Sequence, residues 1–147
     1  QPPGILEGGD VMRVGKRLYA GLSHRTDVAG ITDLAQLLEP FGYEVIAVPL
    51  RNCLHLKSGC TYLGDDTVLI NPEWIDPHNL GPYRFVEVAP GEEGAANALR
   101  VGETLLIPSA WPKTAASLRD SGFTVRELDL SELLKAESGV TCSSLLF

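Results

Sequence analysis

The 147 residues include 12 basic and 19 acidic side chains, for a formal net charge of −7, and are 44% hydrophobic and 21% charged. Such a composition excludes a disordered chain and supplies apolar material for one domain of ordinary size; scattered basic residues under a net negative charge exclude a phosphate-neutralising nucleic-acid surface. No apolar run approaches the roughly 18 residues of a membrane-spanning helix, no secretory leader pattern stands at the start, and three cysteines at unlike spacings argue against a disulfide framework and for a reducing, cytoplasmic compartment.

Alternation of period two around a glycine predicts hairpins, each followed by a helical stretch and a further strand. The first hairpin runs from Val11 to Val14, turns at Gly15-Lys16 and returns through Arg17 to Gly21. Ile31, Leu34, Leu37 and Leu38 lie at helical spacing and predict a helix from about Asp27 to Glu39. Thr26 or Asp27 can cap its first amides, and Gly42 lies just past its end. Tyr43 to Val48 is then a strand, ended by Pro49.

The order repeats. Cys60 to Leu63 and Thr67 to Ile70 flank a Gly64-Asp65-Asp66 turn, a short helical segment interrupted by proline lies around Glu73 to Asn79, and Arg84 to Val88 is the strand. In the third unit, Ala98 to Val101 and Glu103 to Ile107 surround Gly102, a helix runs from about Pro112 to Ser121, and Phe123 to Leu128 is the strand. The chain therefore reads as ββαβ three times, over residues 5–50, 51–90 and 91–130. A closing segment, 131–147, contains a short helix from Ser131 to about Glu137 and ends in Cys142 to Phe147. Serial units of this size bury their faces against one another, here within a single partial domain. The start at Gln1-Pro2-Pro3-Gly4, without an initiating Met, reads as the continuation of something longer.

Chemistry-bearing residues recur just before the hairpins: Leu6-Glu7-Gly8-Gly9-Asp10, then Leu54-His55-Leu56-Lys57-Ser58-Gly59, then Glu92-Glu93-Gly94-Ala95-Ala96-Asn97. Units arranged about a common axis would bring these segments together, and Cys142, after Gly139-Val140-Thr141, can join them. A thiolate nucleophile, an imidazole that moves protons and a carboxylate that orients the imidazole form a coherent set; Cys142, His55 and Glu7 would supply it. By residue type alone the bland roles compete. A cysteine near a chain end is more often a small buried residue, His55 between two leucines fits a hydrogen-bonded core histidine, and Glu7 fits a solvated loop. Cys53, His55 and Cys60 lack a fourth ligand and a regular spacing for zinc. Asp10 and Asn97 suit local hydrogen bonds that order the backbone, His24 an exposed slot, and Trp74 and Trp111 packing.

Four ordered segments narrow the choice. Leu-Glu-Gly-Gly-Asp-Val (6–11), Gly-Leu-Ser-His-Arg-Thr-Asp (21–27), Leu-His-Leu-Lys-Ser (54–58) and Val-Thr-Cys-Ser-Ser (140–144) resemble the signature segments of the dimethylarginine dimethylaminohydrolase family, and Ala-Ala-Asn (95–97) is a further similar stretch. The resemblance covers essentially the whole chain and matches the C-terminal part of that family. It implies a pentein fold, a five-bladed α/β propeller of ββαβ blades, of which about three are present here. It also implies hydrolysis of Nω-methylated arginine to citrulline through a covalent thiouronium on Cys142, with His55 as general acid/base and Glu7 as its carboxylate partner. Arg25 would clamp the substrate α-carboxylate, and the backbone carbonyl of Ala136 would meet its amine. No metal and no organic cofactor are needed. The carboxylates that hold the guanidinium, and a second arginine, belong to an N-terminal part that would come from a separate chain or have been lost by truncation. Two alternatives stay open at this point, a related activity such as arginine deimination and a non-catalytic half-propeller, as does assembly into a homo-oligomer.

Overall fold

The computed structural model describes residues 4–136, 139–141 and 143–144. Among them the sequence builds three separate three-stranded sheets of one topology. In the first, β1 (Val11–Val14) pairs antiparallel with β2 (Arg17–Leu22), α1 (Val28–Leu38) crosses over, and β3 (Glu44–Pro49) lies parallel to β2. A single helical turn, α2 (Leu56–Gly59), leads into the second sheet: β4 (Cys60–Gly64), β5 (Thr67–Ile70) and β6 (Arg84–Glu87). The third consists of β7 (Leu99–Val101), β8 (Thr104–Pro108), the crossover helix α3 (Pro112–Asp120) and β9 (Thr124–Leu128). A last short helix, α4 (Ser131–Lys135), follows. The ββαβ order holds in all three, except that the second crossover carries only a 3-10 turn at Pro77–Asn79. Pro77 starts this turn and, by disfavouring helical backbone at the residue before it, keeps Glu73 to Asp76 from joining it in one helix. Among the described residues no helix is long and apolar enough to cross a membrane.

The centre of the stack is β5. All four of its residues are buried, because strand alternation sends neighbours to opposite faces and both faces are covered. Val68 and Ile70 join Met12, Tyr19 and Val48 of the first unit in one core, while Leu69 joins Leu105, Ile107 and Leu118 of the third in another. One strand thus cements three units. Leu69 is fully enclosed, so Leu69→Ala should lower the free energy of unfolding by about 2–5 kcal/mol, the usual effect of emptying such a site. Urea denaturation checks this; a loss below about 1 kcal/mol would mean that the two units do not depend on this contact.

The hairpin turns differ in how they are made. Gly15 and Gly102 have positive φ at the first turn position, which suits a two-residue II′ turn. In the second hairpin the turn belongs instead to Asp65 and Asp66, both left-handed at φ 49° and 51°, and Gly64 ends β4 at a register shift. Gly64, at φ 90°, also takes a backbone conformation that favours glycine, and it is needed for a second reason. A side chain there would occupy the place of the Arg100 guanidinium, which reaches across from β7 to hydrogen-bond the Leu63 carbonyl. The capping residue of α1 is Asp27, whose carboxylate accepts the Gly30 amide at 2.7 Å; Thr26 turns elsewhere.

Candidate active site

Each sheet is preceded by a short helical turn: 3-10 turns at Gly8–Asp10 and Glu93–Ala96, with α2 between them. α2 packs against both of the others. The three lead-in segments, far apart in sequence, therefore meet at one end of the sheets.

There His55, at the N-terminal cap of α2 in extended backbone, points its Nε2 at Glu7 Oε2, 2.6 Å away. The histidine side chain is 13% exposed and the carboxylate 41%, so solvent reaches Glu7 while the ring is held. Gly9 lies against one side of the ring: a Cβ at this position would fall 2.8 Å from His55 Cγ, so the absence of a side chain there makes room for the imidazole. Arg25 lies on the other side of Glu7, its Nη1 3.5 Å from the same Oε2 and half exposed. The hydrogen bond from His55, outweighing partial burial and helped by the Arg25 charge, holds the Glu7 carboxyl below its ordinary value of 4.5. An ionised Glu7 accepts the Nε2 proton, which leaves Nδ1 of a neutral ring as the basic nitrogen.

Asp10 and Asn97 do order backbone, although the bonds span the molecule and are not local. Asp10 is completely buried and accepts the Leu56 amide of the second unit at 2.9 Å. Asn97 holds the closing segment. Its amide donates to Thr141 Oγ1 at 3.0 Å, and its carbonyl accepts the Thr141 N–H at 3.1 Å. Gly139 lies so close that a side chain there would overlap the Asn97 amide. Asn97 is itself braced by the second unit, because Thr61 Oγ1 on β4 donates to the Ala96 carbonyl at 2.7 Å. The residue that precedes Cys142 is thereby tied to the unit that carries His55. Cys142 itself lies outside the described residues. Ala136 ends α4 and is exposed.

A cavity of about 260 Å³ opens between Gly8, Gly9, His55, Lys57, Ser58, Asn97 and Thr141. A second, of about 580 Å³, runs from Cys53, Leu54 and His55 past Trp74 and Trp111 to Leu134 and Gly139. His55 borders both. The two indoles pack against the two cores and also face this second space, and Trp111 Nε1 is buried without a hydrogen-bond partner among the described residues. The zinc reading has no support in the geometry: Cys60 is sealed in the core against Met12, and no group of three His, Cys, Asp or Glu side chains among the described residues can hold a metal. His24 is exposed. Sequence reasoning did not single out Thr61, Thr141, Lys57 or Ser58 as individual residues. Lys57 and Ser58 sit inside the Leu-His-Leu-Lys-Ser motif, whereas Thr61 is a strand threonine with no sequence mark at all.

A protein-family model described as arginine deiminase matches residues 1–106. The chain is 35% identical to an N(G),N(G)-dimethylarginine dimethylaminohydrolase of Pseudomonas aeruginosa and 43% identical to one of Streptomyces coelicolor, in matches that take in 100% and 97% of this chain. Those matches cover 58% and 54% of the two relatives, so the chain spans a little over half their length. The solved structure of a Cys-to-Ser variant of the Pseudomonas enzyme, complexed with citrulline, has a TM-score of 0.91 at 34% identity, over 100% of this chain and 58% of that one. An amidinotransferase from Microseira wollei, at a TM-score of 0.83 and 20% identity, is similar in fold alone. The pentein architecture expected from the motifs is therefore present: three ββαβ units of an α/β propeller.

Proposed function

The chain belongs to the arginine deiminase family, and from that membership we propose that its parent protein hydrolyses the guanidinium group of Nω-methylated arginine to citrulline and methylamine or dimethylamine. The observation that carries this reading is the 2.6 Å bond between Glu7 and His55 beside the tethered segment that leads to Cys142, in a chain similar to dimethylarginine dimethylaminohydrolases from two organisms.

The Cys142 thiolate attacks the guanidinium carbon and forms a C–S bond. His55, charged and stabilised by Glu7, gives its proton to the departing amine nitrogen; the C–N bond breaks and an S-alkylthiouronium remains. The now neutral His55 takes a proton from water as the hydroxyl adds to the same carbon. The C–S bond breaks and the thiolate returns, His55 is left protonated for the next turnover, and the added hydroxyl gives up its remaining proton to the solvent as citrulline leaves. Arg25 offers a planar, permanently charged fork to the substrate α-carboxylate, and the carbonyl of Ala136 an acceptor for its amine. None of these steps needs a metal or an organic cofactor. The reaction also needs anionic groups around the guanidinium, and we assign them to the part of the protein that corresponds to the remaining length of the relatives. A cytoplasmic setting suits the unpaired thiols of Cys53 and Cys60.

Deimination of arginine itself is the second reading, favoured by the description of the matching family and by a Mycolicibacterium gilvum arginine deiminase that is 28% identical. Citrulline release from dimethylarginine and from arginine, measured side by side on the full-length protein, separates the two. A higher kcat/KM on arginine would replace the first reading by the second, and no citrulline from either would remove both.

A further inference from the structure

We infer that Asp10 is a positioning residue: one buried carboxylate that fixes Glu7, Arg25 and His55 relative to one another. The inference rests on the proposed role of those three side chains. Its physical basis is a hydrogen-bond tree with Asp10 at the root. Oδ1 accepts the Leu56 amide at 2.9 Å, and this is the peptide that follows His55. Oδ2 accepts two hydroxyls, Ser23 Oγ and Thr26 Oγ1, each at 2.7 Å. Each hydroxyl passes the constraint on. Thr26 Oγ1 accepts the Glu7 amide at 3.0 Å, and Ser23 Oγ accepts the Arg25 amide at 3.0 Å. Three segments from two units thus share a single anchor.

The surroundings are shaped to admit it. Asp10 has no solvent exposure, so its carboxyl oxygens depend on these donors. At Gly21 a Cβ would lie 3.0 Å from both Asp10 Oδ1 and Leu56 Cβ, so the absence of a side chain on β2 leaves room for the bridge between units. Charge-assisted bonds at these lengths are short and stiff. A displacement of about 1 Å in a reacting group can reduce turnover about 100-fold, and the 2.6 Å Glu7–His55 contact leaves little slack.

Asp10→Asn keeps the shape but replaces one acceptor oxygen by an NH2 that faces two hydroxyls. In the full-length protein it should lower kcat on dimethylarginine about 10- to 100-fold. It should also weaken or remove the downfield imidazole N–H resonance of His55 that a short bond to a carboxylate produces, a signal assigned beforehand with a His55→Gln variant. Two further variants cut single branches. Thr26→Val frees the Glu7 amide and should lower kcat more than it raises KM; Ser23→Ala frees the Arg25 turn and should raise KM with kcat within about threefold, as expected when only uniform substrate binding is lost. Wild-type kcat together with an unaltered His55 resonance in a folded Asp10→Asn protein would overturn the proposal. If Asp10→Asn does not fold, equal effects of Thr26→Val and Ser23→Ala on kcat and KM overturn it, and the split just described supports it. Should the wild-type protein release no citrulline, the functional reading fails, while the His55 resonance in wild type and Asp10→Asn still decides the role of Asp10.

Discussion

Serine in place of Cys142 is expected to lower citrulline release from dimethylarginine by about four to six orders of magnitude in the full-length protein, the usual consequence of removing a nucleophile. A thiol near neutral pH supplies a useful fraction of thiolate, and a hydroxyl supplies almost none. The described geometry strengthens the assignment by removing its rivals. Burial pushes the Cys53 thiol up to about 11, with the Asp10 charge adding to the effect, and complete enclosure drives Cys60 in the same direction. Of the three cysteines in the sequence, these two are kept protonated at neutral pH. Brief treatment with iodoacetamide at pH 7, followed by mass spectrometry, should therefore label Cys142, and the variant should lose that label together with its activity. A variant that retains more than about a tenth of wild-type turnover would rule Cys142 out as nucleophile.

How far the sequence determined this outcome depends on the length of each element. Strand alternation around Gly15 and Gly102, and helical spacing from Ile31 to Leu38, are signals long enough to survive tertiary context, and the structure places those elements within a residue or two. The turns that form the site are three or four residues long, below the reach of any periodicity. They exist because distant groups hold them: the Leu56 amide is taken by Asp10, and the Ala96 carbonyl by Thr61. Gly64 shows the converse. Its place before two aspartates marks a turn, and the turn is there, with Gly64 at φ 90°; that the missing side chain also makes way for Arg100 from the next unit is a demand that no local pattern can express.

The same distinction runs through the site. Glu7 and His55 were legible because each belongs to a motif with chemical meaning, and the fold brings them together across 48 residues of chain. Asp10 was legible as a residue that orders backbone through local hydrogen bonds, but not as one whose bonds reach another unit. Its partners at positions 23, 26 and 56 are individually unremarkable, and only the three-dimensional arrangement turns one aspartate into a common anchor. Thr141 and Asn97 form a comparable pair, 44 residues apart.

Glu7→Gln should lower kcat by about 100- to 10,000-fold with the fold intact, the upper figure being that of a triad carboxylate changed to its amide. The amide removes the negative charge that stabilises an imidazolium. It can also offer its NH2 to His55 Nε2, which would move the ring proton to Nδ1 and leave the wrong nitrogen basic. The pH dependence gives a second measure. The hydrogen bond from His55 depresses the Glu7 carboxyl below 4.5 in the folded protein. A group depressed in this way contributes its stabilisation in full above its unfolded value and loses it as the pH falls through the folded one. The contribution of the pair is therefore complete at neutral pH, and its acid limb lies below pH 4.5. In Glu7→Gln that limb should vanish from the profiles of both kcat and stability, whereas Glu7→Asp, which retains the charge on a shorter arm, should keep it and recover part of kcat. If kcat of Glu7→Gln stays within threefold of wild type from pH 5 to pH 8, the carboxylate neither orients nor stabilises His55, and the 2.6 Å contact belongs to folding alone.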